Sequence, residues 1–377
     1  GAAELTIEGL TSKAIYLEQL IDNSSGTPHP VRATPVREDM RAVFVPRLHS
    51  SVPEDSGILQ PTDGGPRKLD ADRIKWNYGP SFDARSFIDD GDTRAVLDDP
   101  DFGRTHPSVW PEMKKVRVHA DDHNLFKLFK KWDAVGSLLL LAEDGRDEAE
   151  LCGAFPVYKD ADYDRLILNP TVRNSRQRKA TLYTKLLGQG FLICRIHLEP
   201  GENLVISADD LREFYSCFKV TPERAYRNAI GRKYSAECFK DFAAYRPELA
   251  GKQVYAALNT LAQGDSDAVE IAQGAHFGLL RKACDACRPD ELIVYKAPVP
   301  RGPFYELLNI DDHTGLQKIH ADGTAAEGGI RRDREVFEAC DAAYPSVGLI
   351  PHDGKKVREV YHHICIGQEV HGSIGWA

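Results

Sequence analysis

Two apolar runs that each lead into a pair of aspartates constrain this chain more than any other feature of its sequence. Residues 204–206 (Leu-Val-Ile) precede Asp209-Asp210, and residues 307–310 (Leu-Leu-Asn-Ile) run directly into Asp311-Asp312. Short apolar runs bounded by turn residues are typical of buried strands. Two neighbouring strands that end in acids would bring carboxylates together, and these like charges repel one another unless cations lie between them.

Magnesium is the natural cation for such a cluster, because it prefers hard oxygen ligands and keeps water and substrate phosphate in its shell. Two Mg²⁺ ions about 4 Å apart can activate an attacking 3′-hydroxyl and stabilise a leaving pyrophosphate, and Mn²⁺ can take their place. Aspartates at a hairpin tip are also common as plain turn formers, since Asp tolerates the backbone angles of turns. Asp311-Asp312 is therefore consistent with either a metal site or a turn.

The remaining patterns indicate an α+β fold with antiparallel strand pairing. Asp121 or Asp122 is expected to cap a helix whose apolar face includes Phe129 and Trp132. A helical turn is expected over residues 209–215. Further predicted elements are strands over residues 137–143, 150–158, 164–168 and 203–207, hairpins over 304–319 and 361–374, and helices that begin near Ser266 and cover 331–344.

Residues 1–105 are rich in Pro, Gly, Ser and Asp, which predicts a linker-rich region with patchy order and a short helix at residues 13–21. No run approaches the roughly 20 apolar residues that a membrane span needs, so no membrane association is expected. Eight scattered cysteines in a chain of 377 residues indicate a reduced, intracellular protein of the cytoplasm or the nucleus. Because it lacks a starting Met, we interpret the chain as part of a longer protein.

Other residues that can ligate metals show weaker patterns. Cys284 and Cys287 have C-x-x-C spacing, but a zinc site needs two more ligands and the sequence contains no second pair of this kind. A group of histidines shows no ligand spacing and is expected to be structural or exposed: His276, His313, His352, His362 and His363.

The net charge of −9 argues against a general nucleic-acid binder, which would usually be basic. The basic residues are nevertheless clustered between residues 165 and 185, where no acid interrupts them: Arg165, Arg173, Arg176, Arg178, Lys179 and Lys185. A local basic surface can bind phosphates even when the whole protein is acidic. This segment is therefore a candidate phosphate-binding surface.

Five short motifs, taken in order, resemble those of retroelement reverse transcriptases, especially of retrotransposon polyproteins, across residues 155–375. The first consists of residues 155–159 and 165–174, which are similar to the family's fingers hairpin. The resemblance implies that Arg165 grips the incoming triphosphate, with Lys159 as a second candidate. A solvated basic hairpin is the alternative interpretation.

The second motif runs from Asp210 to Tyr215, the spacing at which the family places a metal-binding Asp and a bulky aromatic residue. The resemblance implies that Asp210 is a metal ligand and that Asp209 is a bystander. It also implies that the ring of Tyr215 lies under the sugar and excludes a 2′-hydroxyl. Packing in the core would explain the ring equally well.

The third motif, Gln263-Gly264, is similar to the family's turn beneath the nucleotide. The resemblance implies that Gln263 contacts the sugar, and that Gly264 allows the backbone to approach closely. Asp265 and Asp267 follow at positions where the family has small residues and Pro. These two acids are expected to lie near a phosphate site.

The fourth motif consists of residues 309–312, in which Asn309 stands at the family's aromatic position. The resemblance implies that Asp311 is the second essential metal ligand and that Asp312 supports it. The interval between Asp210 and Asp311 is long for the family, and residues 232–256 are expected to hold the extra length.

The fifth motif combines Lys355-Lys356 with the hairpin that contains Gly367 and Gln368. In the family, a Lys in this region protonates the leaving pyrophosphate, and the hairpin grips the primer end. Either lysine fits the first role, and a solvated pair of lysines is the alternative.

The resemblance implies fingers over residues 106–200 and a palm over residues 201–377 that ends at the primer-grip hairpin, with the thumb absent. It implies an RNA-directed DNA polymerase, a nucleotidyltransferase that uses Mg²⁺, an RNA or DNA template-primer and deoxynucleoside triphosphates. Other parts of a parent polyprotein are expected partners. The alternatives are a catalytically inactive, repurposed retroelement fragment that binds nucleic acid or protein, and a metal-dependent nuclease that uses the same acids.

Overall fold

The computed structural model describes residues 67–326 and 331–375, so the helix predicted at residues 13–21 lies outside the described residues. Within these ranges the strands are β1 Leu138–Ala142, β2 Gly153–Tyr158, β3 Asp164–Asn169, β4 Glu202–Asp210, β5 Ala229–Ser235, β6 Gln253–Leu258, β7 Phe304–Asn309, β8 Asp312–His320, β9 Val357–Val360, β10 His362–Cys365 and β11 Gln368–His371. The α-helices are α1 Gly91–Asp98, α2 Asp122–Ala134, α3 Thr171–Asn174, α4 Phe214–Cys217, α5 Pro222–Arg227, α6 Ala268–Cys284 and α7 Arg332–Ser346. Short 3₁₀ helices lie at Ala71–Arg73, Ala84–Ser86, Pro107–Val109, Glu148–Glu150, Tyr183–Leu186, Gly190–Arg195, Ala236–Phe239 and Pro247–Leu249. No helix of the described ranges has both the length and the apolar character needed to cross a lipid bilayer.

The sheet that carries the aspartates has the strand order β7–β8–β4–β9, and its neighbouring strands are antiparallel. Helices α6 and α7 pack against it through a core that includes Ile271, Phe304 and Phe337. Gly315 on β8 makes room for this packing, because a Cβ at that position would lie within 2.9 Å of both the Phe304 and the Phe337 rings. The core therefore fixes the central strands, β4 and β8, beneath two helices.

Asp209 and Asp210 lie on β4 itself, so the predicted helical turn over residues 209–215 is wrong at its start. Helix α4 begins only at Phe214, after Glu213 adopts a left-handed φ of 43°. The predicted hairpin is present, since β7 and β8 pair directly up to Asn309 and Asp312.

A second sheet has the strand order β1–β6–β5 and a core of its own. Helix α2 covers it and begins where the sequence predicts, because the Asp121 carboxylate accepts a hydrogen bond of 2.8 Å from the Asn124 backbone N–H. Phe129 and Trp132 of this helix are fully buried. The predicted β2–β3 hairpin contributes Leu168 to the same core.

The sequence patterns do not predict β5 and β6, which lie after residue 200 and pack into the core of the second sheet. Ile230, Val254 and Ala256 share the core of α2 and β3. Residues 232–256, expected to hold extra length, therefore include most of two strands of the second sheet. Their pairing with the distant β1 depends on contacts that local periodicity does not reveal.

Residues 67–105 are packed, although their composition predicts patchy order. Leu69 and Ile74 are buried in the core of the second sheet, and Phe82 and Ile88 are buried in the core of the first. Turn-forming residues made the segment look like a linker, but its scattered apolar side chains fill gaps between the helices and sheets.

The predicted C-terminal hairpin is present as β10–β11. Its Cys365 and Val370 are buried in a third cluster that includes Leu204 and Ile206 of β4. The hairpin is therefore attached to the same central strand that carries Asp210.

Candidate functional site

Three of the predicted site residues meet at one end of the first sheet. In the β4–β8 register Asp210 lies directly opposite Asp312, and the Leu211 backbone N–H donates a hydrogen bond of 3.1 Å to the Asp311 carbonyl. Asp209 is 2% exposed and forms an ion pair with Arg358, in which Nη2 lies 2.8 Å from Oδ1. Because successive side chains point to opposite faces of a strand, Asp210 joins the cluster and Asp209 does not.

The turn that carries Asp311 contains a residue in an unfavourable backbone conformation, and hydrogen bonds to helix α6 stabilise it. Ile310 adopts a left-handed φ of 60°, which is unusual for a β-branched residue. Its N–H donates to Gln273 Oε1 at 2.7 Å, and its carbonyl accepts from His276 Nδ1 at 2.7 Å. Helix α6 thereby fixes the turn and the position of the acid that follows it.

His276 acts here as a neutral hydrogen-bonding group. It is 0% exposed, and burial lowers its pKa to about 3. Because the Ile310 carbonyl can only accept, Nδ1 carries the hydrogen, and Nε2 accepts from the Tyr344 hydroxyl at 3.0 Å. The prediction that this histidine is structural fits its position.

Two carboxyl groups of the cluster, Asp311 and Asp312, have raised pKa values. Burial raises the pKa of Asp311, and the charge of Asp210 raises it further. Burial, the charges of Asp311 and Asp210, and a hydrogen bond with Asp210 raise the pKa of Asp312 to about 7. Burial, followed by like-charge repulsion, therefore favours the protonated form of Asp312.

Two basic side chains face the acids. Lys355 Nζ lies 2.6 Å from Asp210 Oδ2, and its loop is anchored by the His352 N–H, which donates to the Asp210 carbonyl at 2.7 Å. Arg165, exposed on β3, lies near enough for its charge to lower the pKa of Asp311. The two predicted phosphate-binding groups therefore approach the cluster from separate segments.

The alternatives Lys356 and Lys159 are placed differently. Lys356 Nζ forms an ion pair of 2.6 Å with Asp341 Oδ1. Lys159 is exposed at the end of the β2–β3 hairpin, where its N–H bonds to the Tyr163 carbonyl at 3.2 Å. Of the two adjacent lysines, Lys355 is the one whose ammonium contacts an acid of the cluster.

Tyr215 lies beside the cluster, whereas the Gln263-Gly264 turn packs against β3. Tyr215 is half-buried, and burial together with the charge of Asp311 raises its pKa. The Gln263 carbonyl accepts from the Leu168 N–H at 3.1 Å, and a Cβ on Gly264 would clash with the Leu168 carbonyl. The close backbone approach that Gly264 permits in this structure is therefore an approach to β3.

Asp265, which the sequence analysis expects near a phosphate site, is instead a buried structural group. Asp265 is 7% exposed, and its Oδ2 lies 3.0 Å from Arg173 Nη2 and 2.8 Å from Arg224 Nη1. Arg176 is also engaged, with Nη1 2.6 Å from Glu150 Oε1. The candidate basic surface is thus smaller than predicted, and its exposed members are Arg165, Arg178, Lys179 and Lys185.

The predicted primer-grip residues form the turn of the last hairpin. Gly367 has a φ of 76°, and Gln368 begins β11. At the base of this hairpin the Leu204 N–H donates to the Gly372 carbonyl at 3.0 Å. Leu204 lies six residues before Asp210, about 20 Å along an extended strand.

Sequence reasoning missed the residues that support the acids from behind. Gln273 and His276 contact the backbone of Ile310, and Arg358 contacts Asp209, so none of the three contacts the clustered carboxylates. Gln273 and His276 are polar residues three apart on the buried side of α6, and that spacing in an apolar helix face was the available signal.

No protein-family model matches this chain, and no curated protein matches its sequence. Among solved structures it is similar to a foamy viral protease-reverse transcriptase in complex with double-stranded DNA, with a TM-score of 0.44 and 12% identity over 77% of this chain and 45% of that chain. The native protease-reverse transcriptase of prototype foamy virus gives a TM-score of 0.42 and 12% identity over 70% of this chain and 27% of that chain. The chain spans less than half the length of these proteins.

Proposed function

We propose that this chain is a nucleotidyltransferase of the RNA-directed DNA polymerase type, with the acidic cluster as its catalytic centre. The observation that carries the proposal is the meeting of Asp210, Asp311 and Asp312 from strands distant in sequence. The rigid sheet and the strained turn hold these acids together although they repel one another. Such an arrangement is costly for a purely structural role and is useful for binding cations.

The donor set suits magnesium. Its side-chain ligands are carboxylate oxygens. Burial and then the charges of Asp311 and Asp210 raise the pKa of Asp312, and a cation would neutralise those charges. Asp210 and Asp311 would hold the metal, and Asp312 would support them. When bound, two Mg²⁺ ions would supply activation of the primer 3′-hydroxyl and neutralisation of charge on the leaving pyrophosphate.

The chain's own residues would position the substrates. Arg165 would bind the triphosphate, and Tyr215 and Gln263 would contact the sugar. Lys355 would hold a proton at Nζ for the leaving pyrophosphate. Gly367 and Gln368 would support the primer, and template affinity would come mainly from phosphate contacts, so it should fall with salt.

A second candidate is a catalytically inactive fragment that binds nucleic acid or protein. The specific observation in its favour is the Lys355–Asp210 ion pair, which places an ammonium against a proposed metal ligand. Asn309 at the position of an aromatic residue also favours it. In this case the chain would bind a template-primer without extending it.

The test is Mg²⁺-dependent incorporation of deoxynucleotides on a primed RNA template by the full chain, with a primed DNA template in parallel. Asp311→Asn should abolish incorporation, whereas Asp290→Asn, at an exposed acid, should leave it intact. Incorporation that survives Asp311→Asn would exclude the proposed centre. Template binding without incorporation by the unaltered chain would favour the inactive fragment.

A further inference from the structure

A two-residue turn decides which side chains share a face of the β10–β11 hairpin. Ile366 and Gly367 have φ values of 47° and 76°, and two consecutive positive values are characteristic of a type I′ turn. The resulting register places His362 opposite His371. Because side chains alternate along a strand, Glu369 lies on the same face as His371.

The two faces of this hairpin have different surroundings. Cys365 and Val370 are 1% exposed and pack on the core beneath the hairpin. On the other face, the side chains of His362, Glu369 and His371 are 57%, 48% and 34% exposed. The outward face therefore carries these three polar side chains beside the exposed Ile364, while the opposite face attaches the hairpin to the sheet.

The three outward side chains converge on one point. His362 Nε2 lies 2.9 Å from Glu369 Oε1, and His371 Nε2 lies 3.2 Å from the same oxygen. The two imidazole rings stack with their centroids 4.2 Å apart. Within the described part of the chain, this is the group that brings three metal-ligating atoms within 4.8 Å of one another, whereas the aspartates of the acidic cluster are more widely spread.

These separations resemble those of a tetrahedral metal site. Zinc binds imidazole nitrogen at about 2.0–2.1 Å and carboxylate oxygen at about 2.0–2.2 Å, so ligand atoms around a tetrahedral ion lie about 3.3 Å from one another. The hairpin brings its ligand atoms close to this spacing through local register and hydrogen bonds. A zinc ion would replace the hydrogens that the imidazoles share with Glu369.

We infer that His362, Glu369 and His371 form a binding site for one Zn²⁺ ion. Two imidazoles and one carboxylate are a ligand set that zinc uses with a fourth position left open. The nitrogen donors distinguish this site from the all-oxygen acidic cluster, which suits magnesium. His362 is exposed, as the sequence analysis expects, and the inference holds whether or not the chain is a polymerase.

Metal titration of the full chain tests the site. After treatment with a chelator, the protein is titrated with Zn²⁺ by calorimetry and with Co²⁺ by visible absorption, which reports four-coordinate geometry. We expect one zinc per chain, and both His371→Ala and Glu369→Gln should weaken binding at least about tenfold. The matched control is His197→Ala, which removes an exposed histidine paired with the single acid Glu199 at 3.1 Å and should leave zinc binding unchanged.

Separate outcomes would overturn the inference or support it. An unaltered chain that gives no zinc binding, or binding that survives both His371→Ala and Glu369→Gln, would overturn it. Zinc binding lost in Asp210→Asn but retained in the hairpin variants would also overturn it, because the ion would belong to the acidic cluster. Zinc binding that is retained in Asp210→Asn and lost in Glu369→Gln supports it, even if no variant incorporates nucleotides.

Discussion

The acidic cluster and the outward face of the β10–β11 hairpin are both candidate metal sites, and they are built in opposite ways. Asp210 and Asp312 come from strands far apart in the sequence, whereas His362 and His371 belong to one short hairpin. In the cluster like charges are forced together, and the pKa of Asp312 rises to about 7. On the hairpin the histidines and the glutamate satisfy one another by hydrogen bonds.

This difference has a physical consequence for cation binding. A cation at the acidic cluster would relieve repulsion that the fold already sustains. A cation on the hairpin must instead replace hydrogen bonds. Its favourable free energy of binding must therefore come from coordination by the softer imidazole nitrogens. The two regions should therefore respond to different metals and to different substitutions.

The largest expected effect separates the two sites by activity. Asp311→Asn should lower nucleotide incorporation by about a thousandfold or more, because the variant loses a carboxylate that would hold the metal, whose positive charge would stabilise the transition state. Glu369→Gln should change it by less than about twofold. Single-nucleotide extension is measured for both variants. An equal loss of activity in the two would contradict the assignment of catalysis to the acidic cluster and not to the hairpin.

The next effect distinguishes the two adjacent lysines. Lys355→Ala should lower incorporation by about a hundredfold, the contribution expected of a general acid. Lys356→Ala removes an ion pair with Asp341 and serves as the matched control, with little expected change. Rates at saturating nucleotide would decide the question, and equal rates for the two variants would remove Lys355 from the proposed role.

Magnesium should stabilise the fold through the cluster alone. At a concentration a hundredfold above its dissociation constant, it should add about 2.7 kcal/mol to the free energy of unfolding. Asp210→Asn should abolish this gain, and His371→Ala should preserve it. Urea unfolding with and without Mg²⁺ measures both, and a gain that persists in Asp210→Asn would place the ion elsewhere.

A smaller effect concerns pH and the histidine behind the cluster. The pKa of His276 is about 3 in the folded chain against an ordinary value of 6.5, so the unfolded chain alone takes up this proton as pH falls below 6.5. Its contribution to stability is present above pH 6.5 and is lost toward pH 3, at about 1.4 kcal/mol per pH unit. Between pH 6.5 and pH 5 the loss is about 2 kcal/mol.

The comparison of the unaltered chain with His276→Gln isolates this contribution, because the acids with raised pKa values act in the opposite direction in both proteins. Urea unfolding at pH 7, 6 and 5 should show a shallower decrease for the variant. Identical pH dependence in the two proteins would show that His276 does not remain neutral as the fold requires.

Several elements were predictable because their signals are local. The Asp121 cap, the apolar face of α2, the β2–β3 and β7–β8 hairpins and the β10–β11 hairpin follow from neighbouring residues. Strands β5 and β6 were not predictable in this way, because their partners are distant. The prediction of patchy order for residues 67–105 was wrong for a related reason. A turn-rich composition does not show whether the apolar residues between the turns are buried in a core.

The sequence by itself determined that acids follow two apolar runs, that a basic hairpin precedes them and that a tight turn lies at Gly367. Only the tertiary structure decided that Lys355 rather than Lys356 contacts the cluster, and that Asp265 is buried between arginines. The physical reason is that backbone conformation depends largely on neighbouring residues, whereas the partner of a charged side chain is set by strand register and by segments that meet only after folding.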